Sequence, residues 1–192
     1  IDETKINITR RGGAEKLLIV KSEDSLIVGM NLLEISKILN LSPSETVYNI
    51  LRKSNVKIAS FNMISDDIIN FMKQDWVVTG SDGNTGHPRK YGSFPRKYSK
   101  YVIEDKVIDF ATFINGSTSK TADIFRIPDR GKLLVGFYAD IIIFKPKTFT
   151  DKADYSDAFQ FSEGIEFSII NGKLSIENGI FTDQFNGRVL QK

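Results

Sequence analysis

Two short stretches hold most of the chemistry this chain could perform. Trp76-Val77-Val78-Thr79 reads as an apolar strand that ends in Gly80-Ser81-Asp82-Gly83. In folds built on parallel sheets, functional residues gather where strands end at their C-terminal edge. A carboxylate there can ligate a metal through oxygen, or take a proton from a metal-bound water. An aspartate before glycine also forms turns for purely local reasons, so position alone leaves both readings of Asp82 open. The second stretch is His87-Pro88-Arg89-Lys90-Tyr91-Gly92-Ser93-Phe94-Pro95-Arg96-Lys97-Tyr98-Ser99-Lys100-Tyr101, with five Lys/Arg, four aromatics and no acid. Arginine suits bidentate recognition of carboxylate or phosphate, and cations interleaved with aromatics suit single-stranded nucleic acid. A solvated, irregular loop whose tyrosines pack against the body of the fold fits the same pattern. His87, a lone histidine beside a proline, reads as structural on pattern alone.

Composition narrows the choices. The chain has 192 residues, 26 basic and 24 acidic, for a net charge of +2. That balance argues against a protein that coats nucleic acid, and no nucleic-acid partner is expected. There is no cysteine, which removes disulfides, thiolate zinc sites and a cysteine nucleophile. This fits a reducing compartment, so a cytoplasmic location is expected. One histidine cannot supply a site that needs two or three imidazoles. No apolar run approaches the roughly 20 residues of a membrane span, and no membrane partner is expected. Nothing resembles a phosphate-binding glycine loop or a nucleotide fingerprint.

The elements that must position these residues follow from hydrophobic spacing. Leu17-Leu18-Ile19-Val20 is an apolar run of the kind buried on both faces of a parallel sheet. Leu32, Leu33, Ile35, Ile38 and Leu39 recur at helical spacing. Ser42-Pro43-Ser44-Glu45 forms a capping box with proline at the first helical position, ahead of a stripe of Val47, Ile50 and Leu51. A strand over 57–61 is followed by Ser65 as an N-cap, with Asp66 and Asp67 in the first turn where the helix dipole favours them. After the Trp76 strand and the irregular stretch, helices are expected over 106–114, with Gly116 beyond the end, and over 119–125. From about Pro128 the texture turns to β. Leu133 to Phe144 is β-rich, 140–144 is a buried strand, and Phe167 to Ile170 meets Asn171-Gly172, a strong hairpin signal that Asn178-Gly179 repeats. The whole reads as α/β: about three βα units with a parallel sheet, residues 1–128, followed by a small antiparallel module, residues 129–192.

Gly80-Ser81-Asp82-Gly83, then His87-Pro88-Arg89, Tyr91-Gly92 and Phe94-Pro95-Arg96, is similar to the region after the last barrel strand of D-aminoacylases, the N-acyl-D-amino-acid deacylases of the amidohydrolase superfamily. Asp129-Arg130-Gly131-Lys132-Leu133, Gly136, Ala139-Asp140-Ile141, Ile170-Asn171-Gly172, Gly179 and Gly187-Arg188-Val189-Leu190 continue it, as do Arg11-Gly12-Gly13, Gly29 and Asp75-Trp76-Val77-Val78 upstream. The resemblance implies the C-terminal part of a (β/α)8 barrel, joined to part of a β-sandwich. It implies zinc-dependent hydrolysis of an N-acyl-D-amino acid to a carboxylate and a D-amino acid. Asp82 then matches the aspartate that activates water, hands its proton to the leaving amine and can touch the metal. Arg89 matches the arginine that holds the substrate α-carboxylate. His87 belongs to the same motif and joins Arg89 as a substrate-binding candidate with no role of its own assigned.

The family's His-x-His pair and its other metal ligands have no counterpart here, so zinc is expected in a full-length parent and not bound tightly by this chain alone. The chain begins at Ile1 rather than Met, and a fragment, inactive by itself and prone to self-association, is the expected form. A non-catalytic binding module built on residues 87–101 and a cyclic-amide hydrolase remain alternatives.

Overall fold

The computed structural model describes residues 2–83 and 86–190. The sequence-expected loop between Asp82 and His87 therefore lies partly outside the described residues. The N-terminal half is helical around a two-stranded sheet: α1 (Asp2–Arg10), β1 (Leu17–Ser22), α2 (Leu32–Leu39), α3 (Pro43–Lys53), β2 (Val56–Ser60) and α4 (Ser65–Met72). Both α2 and α3 start in complete capping boxes. Asn31 and Glu34 form the first, Ser42 and Glu45 the second. Each satisfies two backbone N–H groups that a helix start leaves bare and contributes about 1 kcal/mol. Helix α4 differs from expectation by one residue. Ser65 is already inside the helix, Ile64 stands at the cap, and no side chain closes it. In α3 the side facing inward is set by Ser44, Thr46 and Ile50, while Leu51 is exposed.

The expected parallel sheet is not what forms. β1 and β2 pair antiparallel, Leu17 opposite Ser60 and Ser22 opposite Val56. β1 buries alternate residues, Leu17 and Ile19, as a strand with one covered face does, and not the continuous run of a doubly covered strand. Residues 76–79 join no ladder. Their backbone is tied instead by Thr79 N–H to the Gly116 carbonyl at 3.0 Å. An apolar run becomes a strand only where a neighbour offers a matching edge.

The described residues form two cores. Ala14, Leu17, Ile19, Leu32, Ile35 and Ile50 form the first, beneath α2 and α3. The second gathers Tyr98, Val102, Ile108, Phe113 and Phe149, with Phe144 and Ile165 against it. It joins side chains from both sides of residue 128. Here the structure departs most from the sequence expectation. The stretch from 89 onward is not an irregular loop but α5 (Arg89–Arg96), continued by a π-helix (Lys97–Glu104). Pro95 sits inside α5 and lacks the N–H that would bond the Tyr91 carbonyl. That carbonyl accepts the Ser162 hydroxyl at 2.6 Å. The wide turn beyond the proline brings Tyr98 and Val102 into the core.

α6 (Phe110–Ser117) and α7 (Ser119–Phe125) follow; α6 starts later than expected, capped by Asp109, and contains Gly116. The C-terminal sheet is antiparallel in the order β3 (Ile141–Phe144), β4 (Ile165–Ile170), β5 (Lys173–Glu177), β6 (Ile180–Phe181). Both Asn-Gly turns form as expected, with positive φ at Asn171, Gly172, Asn178 and Gly179. β3 is shorter and more open than expected: Ile142 and Ile143 are exposed. Among the described residues no helix is long and apolar enough to cross a membrane.

Candidate active site

Asp82, His87 and Arg89 come together at the start of α5. Asp82 sits at φ 42° in the turn before the helix, a left-handed conformation that aspartate tolerates better than most residues. Arg89, in the first turn of α5, grips it at two points. Its Nη2 lies 2.7 Å from Asp82 Oδ2, and its Nε donates to the Asp82 carbonyl at 2.8 Å. The carboxylate remains open, with 84% of the side chain accessible. Asp82 is thus reachable by a ligand and already oriented by a fixed cation.

His87 is held from both ring nitrogens. Nδ1 accepts the Arg89 backbone N–H at 3.2 Å, so Nδ1 carries no proton. Nε2 lies 3.3 Å from the Tyr155 hydroxyl. Partial burial holds its pKa below the ordinary histidine value, the Arg89 guanidinium lowers it further, and Asp82 opposes both. The lowering favours the neutral imidazole, and the bond to Nδ1 places its proton on Nε2.

The wall facing His87 comes from a loop over residues 151–162. Its ends are pinched by the Thr150–Glu163 bridge. Asp154 Oδ1 accepts from the backbone N–H groups of Ser156 and Asp157 at 2.8 and 2.7 Å and from the Ser156 hydroxyl. These bonds lower the Asp154 pKa and set the turn that carries Tyr155. Tyr155 packs edge-on between Phe61 and His87, with ring centroids at 4.8 and 5.1 Å. Arg96 bonds Asp151 at 3.2 Å. Asp151 Cβ lies 3.0 Å from where a Cβ on Gly92 would sit, so glycine there lets the loop approach the helix. A cavity of about 400 Å³ remains between them, lined by Phe61, His87, Arg89, Arg96, Asp151 and Tyr155 among others.

The sequence-expected site residues are all three here. Tyr155, 68 positions from His87, and the Arg96–Asp151 pair were not expected, because no spacing signal links them. Segment 87–101 does not present its aromatics as a free strip: Tyr98 is buried in the core and Tyr91 packs on Phe161. Among the described residues, no group of three or more His, Asp or Glu side chains stands close enough to hold a metal. Asp82 offers one carboxylate, so the described residues do not by themselves fit a zinc ion.

No family model matches the chain. Curated relatives do. It is 31% identical to a D-aminoacylase of Alcaligenes xylosoxydans xylosoxydans over 69% of the chain and 28% of that protein. It is 32% identical to an N-acyl-D-glutamate deacylase of the same organism over 58% of the chain and 24% of that protein. The chain spans about a quarter of the length of these relatives. A crystal structure of D-aminoacylase, described as defining a novel subset of amidohydrolases, superposes with a TM-score of 0.83 at 28% identity. That match covers 92% of this chain and 38% of the other. The N-acyl-D-glutamate deacylase of Bordetella bronchiseptica, solved with zinc and a phosphonate mimic of the tetrahedral intermediate, shares the fold at a TM-score of 0.78 and 24% identity, over 86% of this chain and 35% of that one. Sequence and structure thus lead to the same enzymes: over part of their length, this chain matches the D-aminoacylases and N-acyl-D-glutamate deacylases.

Proposed function

We propose that these 192 residues are the C-terminal part of an N-acyl-D-amino-acid deacylase, residues 1–128 belonging to its barrel and 129–192 to its β-sandwich. The full-length parent cleaves the amide bond of an N-acyl-D-amino acid, releasing a carboxylate and a D-amino acid. Asp82 is the acid–base residue: it takes a proton from the attacking water and delivers it to the leaving amine. Arg89 binds the substrate α-carboxylate. A fixed cation at that distance from the base places the amide and its stereocentre in one orientation. His87 touches Arg89 through its backbone and lines the same cavity. Zinc and its remaining ligands would belong to the rest of the parent.

The observation that carries this reading is the meeting of Asp82 and Arg89 at 2.7 Å, in a chain whose fold and sequence follow the deacylases. The test is turnover of N-acetyl-D-amino acids by the full-length protein, beside its Asp82→Asn and Arg89→Ala variants. Loss with Asp82→Asn supports the assignment; unchanged turnover removes Asp82 from the mechanism.

A further inference from the structure

Tyr155 takes part in no step above, yet it is fixed from three directions. The Asp154 turn holds its backbone, Phe61 packs on its ring, and its hydroxyl reaches His87 Nε2. Burial raises the pKa of its phenol. The chain of contacts is continuous: Tyr155 hydroxyl, His87 Nε2–H, His87 Nδ1, Arg89 backbone N–H, and from the Arg89 side chain to Asp82.

Each link constrains the next. The backbone N–H of Arg89 lies in the first turn of α5, where a helix leaves its N–H groups without intrahelical acceptors. His87 Nδ1 serves as its acceptor, in the place a capping side chain fills elsewhere. That role requires the tautomer with the proton on Nε2, and a neutral imidazole has only one proton to place. The Arg89 N–H can only donate, so it selects this tautomer, and the Tyr155 hydroxyl, able to donate or accept, adapts to it. With the proton on Nε2, the Tyr155 oxygen accepts it at 3.3 Å and holds the ring where Nδ1 meets the Arg89 N–H.

We propose that Tyr155 is a positioning residue for Arg89, acting through His87: its hydroxyl anchors the imidazole whose Nδ1 caps the Arg89 N–H and so steadies the first turn of α5, from which the guanidinium extends. The proposal rests on the reading of Arg89 as the carboxylate-binding residue. It makes the loop over 151–162 part of the site's precision, although the loop touches the guanidinium only through the histidine.

The chain has a single histidine, so every imidazole resonance in an isotope-labelled sample of the full chain belongs to His87. In the native chain the imidazole should be the Nε2–H tautomer, with the Arg89 amide protected from hydrogen exchange. Tyr155→Phe keeps the ring contacts and removes the hydroxyl. The expected result is Arg89 amide exchange roughly five- to tenfold faster, with the Nε2–H tautomer retained because the Arg89 N–H sets it. An unchanged exchange rate would overturn the proposal. His87→Gln supplies the second arm. In that background Tyr155→Phe should no longer alter Arg89 exchange, and an effect that persists undiminished shows that Tyr155 does not act through His87. None of these readouts uses substrate. If they come out as expected while Arg89→Ala binds N-acyl-D-amino acids as well as native protein does, the carboxylate role of Arg89 fails and the positioning relay stands.

Discussion

Arg89 and Asp82 hold each other at two points, side chain to side chain at 2.7 Å and guanidinium Nε to backbone carbonyl at 2.8 Å. The group proposed to move the proton and the group proposed to hold the substrate α-carboxylate are thus joined before any substrate arrives. The contact to the carbonyl fixes the arginine independently of the Asp82 side chain, so the carboxylate can swing toward a reacting group without releasing Arg89. Turnover should respond differently to the two residues. In the full-length enzyme, Asp82→Asn should lower kcat by about 10²–10⁴-fold, the range for loss of a proton-transfer group, with little change in fold because the Nε bond to the carbonyl survives.

Arg89→Ala should act mainly on KM. Removing a charge-assisted bond to the substrate carboxylate should raise KM roughly 10–100-fold, and far less for analogues that lack the carboxylate. Steady-state kinetics with an N-acyl-D-amino acid and its des-carboxy amide make the comparison. An equal rise for both rejects the carboxylate role. Arg89→Lys should recover only part of the loss, since an ammonium cannot reproduce the fork that meets Asp82 at two atoms.

What the sequence revealed of this region was the part set by neighbours in the chain. The Ser42–Glu45 box and the two Asn-Gly turns are decided within four residues, and both formed as expected. The motif residues Asp82, His87 and Arg89 lie within eight positions of one another, so their clustering was legible too. The helix over 89–104 was not, because Pro88, Gly92 and Pro95 all read as breakers. Pro88 precedes the first turn, where a missing N–H costs nothing. Gly92 is where the loop closes in, and the carbonyl that Pro95 leaves bare is satisfied by Ser162, 71 residues later. The antiparallel pairing of β1 with β2 and the contact of Tyr155 with His87 are likewise decided by partners that no local pattern names.

The contact between Ser162 and Tyr91 gives a stability prediction. Ser162→Ala leaves the Tyr91 carbonyl without its partner in a half-buried setting, and about 1–2 kcal/mol should be lost in chemical denaturation. Gly164→Ala should cost more. Gly164 has φ +87°, and an added Cβ would lie 2.5 Å from the backbone of Phe149. Strain and overlap together predict a loss of at least about 2 kcal/mol. If Gly164→Ala is as stable as the native chain, the pinch that closes the 151–162 loop is not as tight as described.

His87 predicts how stability follows pH. Its folded pKa lies below the ordinary value of 6.5, so the unfolded chain binds the proton more readily. Its contribution to stability is complete above that ordinary value and is lost as pH falls through the histidine range toward the lowered folded pKa. Protonating Nδ1 also expels the Arg89 N–H and sets two cations side by side, with Asp82 offsetting part of the repulsion and Tyr155 unable to. Denaturation midpoints measured across this range should fall with acid in the native chain and more shallowly in His87→Gln. Parallel curves would show that the imidazole is not held neutral by the fold.

The exposed apolar side chains give the last expectation. Phe71 and Trp76 pack edge-on at 6.1 Å yet remain more than half exposed, as do Leu133, Leu134 and Val135 in one run and both residues of the edge strand β6. Side chains of this size gain about 25 cal/mol per Å² on leaving water, and an edge strand offers unpaired backbone groups to any neighbour. Studied alone, the 192-residue chain should therefore self-associate, with a sedimentation coefficient that rises with concentration. Trp76→Lys and Phe181→Lys should each weaken the association. The same preparation should show no deacylase turnover with or without added zinc, since Asp82 alone offers the metal one carboxylate. A chain that sediments as a monomer at every concentration would show that these faces are not adhesive, and measurable zinc-dependent turnover would show that the described residues suffice for catalysis.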